Sequence, residues 1–217
     1  MIKWSRYRIK RFAADESGVV MTEFLLVLPL LIWAFLAMMV YWDTWRTINE
    51  SQKAAYVVAD LVSRQSTVNL PFINGMQTVM EALIGYQGDI SLRITSIQWN
   101  VDPDTNEGSY SVIFSRSPRS AKPALTAQDV EDLAYLIPEL NPSETTVIVE
   151  TWLDFTPAAK GTIERDGTTN NASPRAFLAN IGISDQTFRN FIVTKPRGYR
   201  SVCLAEQIYN CPFAEGT

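Results

Sequence analysis

The side chains of this 217-residue chain with most capacity for chemistry fall in four places. Glu23 is a lone carboxylate at the mouth of a run that carries no further charge until Asp43. Entering a bilayer would cost it on the order of a few kcal/mol, so it calls for a cationic partner. Cys203 and Cys211 sit close together near the C-terminus. Asp102-Pro103-Asp104-Thr105-Asn106-Glu107-Gly108 alternates oxygen ligands as a calcium loop does. Lys195, Arg197 and Arg200 surround Tyr199 and could touch phosphate. The chain has no His, which excludes His-based triads and His-containing metal sites.

Most of these candidates fail on spacing. In the 102–108 segment the Gly comes one place late and Ile113 stands where a calcium loop needs its bidentate Glu, so a hairpin loop is expected there. Glu131 and Asp132 are neighbours that point apart on a helix and make no acid/base dyad. Neither a Walker loop nor a G-x-S-x-G elbow occurs. From Asp43 onward 14 cations face 20 anions, which argues against nucleic-acid binding. The expectation is therefore a protein that is not an enzyme and has no catalytic residues, no cofactor and no metal. For Cys203 and Cys211 a disulfide is expected in an extracytoplasmic compartment, with two free thiols the alternative. A disulfide would contribute about 2–3 kcal/mol and pin a terminus that otherwise frays.

Three zones must position Glu23. Residues 1–18 carry Lys3, Arg6, Arg8, Lys10 and Arg11 against Asp15 and Glu16, a cationic excess that holds this end in the cytoplasm. Phe24 to Trp42 is a 19-residue apolar run, roughly 28 Å of helix against a hydrocarbon core of about 30 Å. It has no polar face, unlike a core helix, and exceeds the apolar region of a cleaved signal peptide. Tyr41, Trp42 and Trp45 fit an interfacial aromatic belt. The mean hydropathy of −0.02 thus averages a membrane span with a polar, acidic remainder. Beyond Trp42, Trp45, Ile48, Gln52, Ala55, Tyr56, Ala59 and Val62 recur at three- and four-residue steps, predicting one helix from about Val20 to Arg64.

Glu23 is the fifth residue after Gly18, and cleavage there would free the amine of Val19 to pair with the Glu23 carboxylate of a neighbouring subunit. The alternative is a Glu that merely snorkels to the interface. With its basic leader ending in Ser17-Gly18, then Glu23-Phe24 and Leu26-Val27-Leu28-Pro29-Leu30-Leu31, the sequence resembles type IV prepilin-like proteins. It is most similar to the TadE-like minor pseudopilins of the Flp (Tad) pilus system, over about residues 10–45. The resemblance implies cleavage between Gly18 and Val19 by a prepilin peptidase, with Glu23 as the assembly glutamate. Phe24 belongs to the same assembly motif, and a kink at Pro29 would let bundled helices pack at different heights. A kink without any such role is the alternative. Implied partners are membrane lipid, other pilins and minor pseudopilins, the peptidase and the pilus assembly platform. The implied setting is the bacterial inner membrane, crossed once with the head periplasmic, or a surface pilus used in cell adhesion. Many pilins also carry a C-terminal disulfide loop. Val19 departs from the Phe or Met that often begins a mature pilin, and the Asp-x-Ser-x-Ser string of related TadG-like proteins is missing.

The expected organisation is a leader at 1–18, a long helix at 19–66 with its span at 24–42, and an extracytoplasmic head at 67–217. Within the head, Asn69-Leu70-Pro71 and Asn74-Gly75 read as breaks before a short helix at Met76 to Ile84. Ile90, Leu92 and Ile94 alternate as a strand, and Ile97 and Trp99 then alternate on odd numbers, predicting a bulge near Thr95-Ser96. Tyr110, Val112 and Phe114 mark a partner strand, and Thr146 to Phe155 a strand that is apolar on both faces. Helices are predicted at Ala127 to Ile137, capped by Thr126 and Asp129, and after Ser173-Pro174. The fold class is α+β, and the resemblance makes it type IV pilin-like: a long N-terminal transmembrane helix before an antiparallel sheet with short helices. An uncleaved single-pass protein with a periplasmic partner-binding module is the competing reading.

Overall fold

The computed structural model describes residues 18–85, 89–155 and 186–213. The leader residues 1–17 and the helix expected after Ser173-Pro174 lie outside them. The described residues fall into two compact units, 18–43 and 44–155 with 186–213.

Helix α1, Val19–Ser63, is unbroken for 45 residues and contains Pro29. Pro29 therefore sits inside continuous helix. In residues 20–35 nearly every side chain is exposed, including Leu26, Leu30, Ile32 and Phe35. This stretch makes α1 long and apolar enough to cross a membrane. From residue 44 the same helix changes character. Thr47, Ser51, Ala54, Ala55, Val58, Ala59 and Val62 are buried at helical spacing, while Gln52, Lys53, Tyr56 and Val57 stay exposed.

That buried stripe packs into an antiparallel four-stranded sheet. Its strands are β2 (Ile90–Val101), β3 (Gly108–Arg116), β4 (Thr145–Phe155) and β5 (Gln186–Thr194), ordered β3-β2-β4-β5. One face sends Leu92, Ile94, Val147, Val149, Leu153 and Ile192 into a core shared with Ala54, Ala55, Val58, Ala59 and Val62. Alanines suit this contact because a short side chain lets the helix backbone approach the sheet closely. Helix α2, Leu70–Ile84, completes the layer with Ile73, Met76, Met80 and Ile84.

Two sequence expectations need correction here. Asn69-Leu70-Pro71 starts α2 rather than merely breaking the chain: Asn69 Oδ1 accepts from the Phe72 N–H at 2.8 Å, and Pro71 occupies the first turn, where a missing N–H costs nothing. Asn74-Gly75 consequently lies inside α2, where one-sided burial outweighs a glycine penalty of about 1 kcal/mol. The bulge falls where the parity changes, but its extra residue is Ile113 on β3, since Ser96 pairs with Phe114 and Ile97 with Val112. Strand β2 itself runs in unbroken register against β4. Ile97 changes face because a second apolar cluster, with Leu125, Val130, Ile137 and Ile148, covers that side of the sheet.

Helix α3, Ala127–Asp132, carries this second cluster and is shorter than expected. It has the predicted capping box, with the Asp129 carboxylate accepting from the Thr126 N–H at 2.8 Å, and then gives way to a 3-10 turn at Ala134–Leu136. The β2–β3 connection is the expected hairpin. At its base the Trp99 ring packs at a tilt against Tyr110, with centroids 4.6 Å apart, and lies over Gly108, where a Cβ would meet the indole. The short strands β1 (Thr67–Val68) and β6 (Cys203–Leu204) pair in parallel beside the end of α1.

Because Ala55 is fully buried against the sheet, Ala55→Leu should destabilise the head by about 1–3 kcal/mol through overpacking. Lys53→Leu, on the exposed side of the same turn, should change stability by less than about 0.5 kcal/mol. Denaturant unfolding of the full chain in detergent micelles compares the two.

Candidate assembly site and the charged face of the sheet

The residues singled out for processing and assembly are consecutive in space because α1 makes them so. Gly18 is exposed and directly precedes Val19, the first residue of α1. Glu23 and Phe24 lie just beyond the first turn, both exposed. Positions 19 and 23 are four apart, with about 6 Å of helical rise between them. Glu23 lies past the first helical turn. Pro29 follows on the same helix, in the exposed apolar stretch. This arrangement presents a carboxylate next to the helix start with an uncovered apolar surface behind it. It offers an exposed apolar surface for packing.

Cys203 and Cys211 belong to the other compact unit and are joined by a disulfide, with Cα atoms 5.6 Å apart. Cys203 is in β6, and its backbone N–H donates to Ser66 O at 2.9 Å. The basic cluster that could have met phosphate is exposed, but each cation has a partner within the chain. Lys195 pairs with Glu144, Arg197 Nη1 lies 3.2 Å from Asp60 Oδ1, and the Arg200 guanidinium sits 4.0 Å over the Phe213 ring. In the hairpin, Asp102 turns its carboxylate on its own loop, accepting from the Asp104 N–H at 2.8 Å. Among the described residues no group of three Cys, Asp or Glu side chains is gathered to hold a metal.

One constellation escaped the sequence reading. Glu150, fully buried in central β4, binds two arginines: Arg93 Nε on β2 at 2.7 Å and Arg189 Nη2 on β5 at 2.6 Å. Arg93 also donates to Pro123 O at 2.8 Å, and Arg93, Lys122 and Arg189 all lie within 6 Å of the Trp152 ring centre. Glu150 sits directly opposite Arg93, and Trp152 opposite Arg189, so the ladder register itself creates the cluster. The available signal was a Glu in Val147-Ile148-Val149-Glu150-Thr151-Trp152 and an Arg in Leu92-Arg93-Ile94, opposite charges inside otherwise apolar strands. With each charge paired, the cluster locks three strands in one register.

Hydrogen bonds also set the acid behaviour of the second unit. Lys195, followed by the Asn141 N–H, holds the Glu144 carboxyl below the usual carboxylate range. The Thr126 backbone N–H and hydroxyl do the same for Asp129. Burial, with a smaller push from Glu131, raises the Tyr110 phenol. No known family model, curated protein or solved structure matches this chain.

Removing Glu150 as Glu150→Ala would leave Arg93 buried without its counterion and should cost about 3–5 kcal/mol, read as a lower denaturation midpoint. Glu144 and Asp129 have folded values below their unfolded ones, so their stabilisation is complete above the unfolded range and disappears as pH falls through the folded values. The midpoint of thermal unfolding, followed from pH 6 downward, should fall below about pH 4. The Glu144→Gln/Asp129→Asn double variant should show a smaller acid dependence.

Proposed function

We propose that this protein is a minor pilin or pseudopilin that takes part in assembling a Flp (Tad)-type pilus, processed after Gly18 and packing into the assembly through its N-terminal helix. The observation that carries the reading is α1 itself: one unbroken helix, apolar and exposed around its first half, and seated by its second half in the core of an α+β unit. The order Gly18, Val19, Glu23, Phe24 at its start agrees with a prepilin cleavage and assembly motif. On this reading the fold is type IV pilin-like, the protein crosses the bacterial inner membrane once, and the sheet unit lies in the periplasm. The Glu23 carboxylate meets the freed Val19 amine of a neighbouring pilin, which neutralises two charges that lipid would otherwise penalise. The apolar helix faces then associate as they leave the bilayer. The work is structural: insertion, packing and choice of neighbour.

Mass spectrometry of the protein from cells with and without the prepilin peptidase tests the processing step. A mature chain beginning at Val19 is expected only when the peptidase is present, and an intact Met1 in both would refute it and favour an uncleaved anchor with a partner-binding head. In the same cells Glu23→Ala should leave cleavage unchanged and reduce surface pilus assembly at least about tenfold, in line with a carboxylate–amine pair in lipid. Undiminished assembly would refute the pairing.

A further inference from the structure

The C-terminal segment holds the end of α1 at several points. The Arg197 N–H donates to Ser63 O at 2.8 Å, satisfying one of the last carbonyls of the helix, and its guanidinium reaches Asp60. Strand β6 pairs with β1, and Glu206 Oε1 accepts from the Leu70 N–H at 3.1 Å, at the first residue of α2. The disulfide closes the loop that contains Glu206 and tethers it to β6. Its two sulfurs are not equivalent. Cys203 is only 3% exposed, whereas Cys211 follows a 3-10 turn and is partly exposed. The buried Ser201 hydroxyl lies 3.3 Å from Cys203 Sγ and 3.5 Å from Cys211 Sγ, placed to donate to either.

We propose that residues 197–211 form a redox-closed clasp on the α1–α2 junction, made and opened by thiol–disulfide exchange that enters through Cys211. In closing, the Cys211 thiolate attacks the disulfide of an external oxidant, either a protein dithiol–disulfide or glutathione disulfide. A mixed disulfide forms and one oxidant thiolate leaves. The Cys203 thiolate then attacks Cys211 Sγ, forming the internal bond and expelling the second oxidant thiolate. Two protein thiols are oxidised, the oxidant gains two electrons, and the two thiol protons pass to solvent. Opening is the reverse: an external thiolate attacks the accessible Cys211 Sγ, and Cys203 leaves as a thiolate. Ser201 is a positioning residue that donates its hydroxyl hydrogen bond to that departing sulfur. This inference does not depend on cleavage after Gly18, because every residue in it belongs to the second unit.

The test uses the full chain in detergent micelles with glutathione as the probe. Reduced Cys203→Ser and Cys211→Ser variants are exposed to glutathione disulfide, and mixed disulfides are followed by mass spectrometry. Cys211 should react at least about tenfold faster than Cys203 in the native state, reflecting access to the sulfur. The two should react alike in denaturant. Equal native rates, or faster reaction at Cys203, would overturn the entry route. In the wild-type chain, reduction should speed hydrogen exchange at residues 66–70 and 203–206, and unchanged exchange would overturn the clasp. Ser201→Ala should slow opening by glutathione severalfold in the native state and leave the denatured rate unaltered. An equal native rate would remove Ser201 from the step.

Discussion

A helix that shows apolar side chains on every side is stable only where water is absent, and a helix with one small-residue stripe is stable only against a matching surface. In this protein both requirements fall on the same 45 residues. The exposed apolar stretch is long enough to cross a bilayer, and a bilayer would demand helix, because every backbone group in it must be satisfied within the segment. The sheet imposes a stripe of Ala54, Ala55, Val58, Ala59 and Val62, because only short side chains let the helix approach. Since no break separates the two stretches, the second unit is built around a helix whose earlier stretch leaves its apolar side chains exposed. Strand order follows from that. The central strands β2 and β4 supply most of the face on which α1 lies, and β3 and β5 flank them.

The opposite face is divided between two solutions to burial. Toward the hairpin end, Ile97 and Ile148 are covered by Leu125, Val130 and Ile137 in an apolar cluster nucleated by the Thr126 capping box. Further along, cover comes from the Glu150 cluster. Burying a carboxylate with two guanidiniums contributes little net stability compared with an apolar replacement, but a mispaired alternative would strand a charge. A strand slipped by one residue would place Glu150 on the core face beside α1. The cluster therefore acts against wrong registers more than it adds to the right one.

The helix was legible in the sequence from α1 to its far end, because both its apolar run and its later three- and four-residue spacing are local signals. The strands β2, β3 and β4 were legible for the same reason, as was the Thr126 cap. What failed were features decided by distant partners. Asn69 and Pro71 read equally well as a break or as a helix start, and only burial of Ile73, Met76, Met80 and Ile84 selects the second. The parity change at Ile97 signalled two covered faces, which a strand read in isolation cannot distinguish from a bulge within itself. Arg93 and Glu150 are 57 residues apart and meet only through the ladder. The candidate assembly residues Gly18, Val19, Glu23, Phe24 and Pro29 could be proposed from sequence because they lie within twelve consecutive positions at the start of α1.

The position of the C-terminal segment links these points. A helix end leaves carbonyls unsatisfied, and α1 ends where the chain must turn at once into α2. Residues near the junction satisfy part of it, with the Gln65 N–H on Val62 O and the Ser63 hydroxyl on Asp60 O. The C-terminal segment adds further partners: Arg197 on Ser63, Cys203 on Ser66 and Glu206 on Leu70. Contacts between residues some 130 positions apart are entropically costly to close, and the cost falls at a terminus that would otherwise fray. A covalent tie within that terminus reduces its freedom before it docks. The bond between Cys203 and Cys211 thus serves the end of the helix whose beginning carries Glu23.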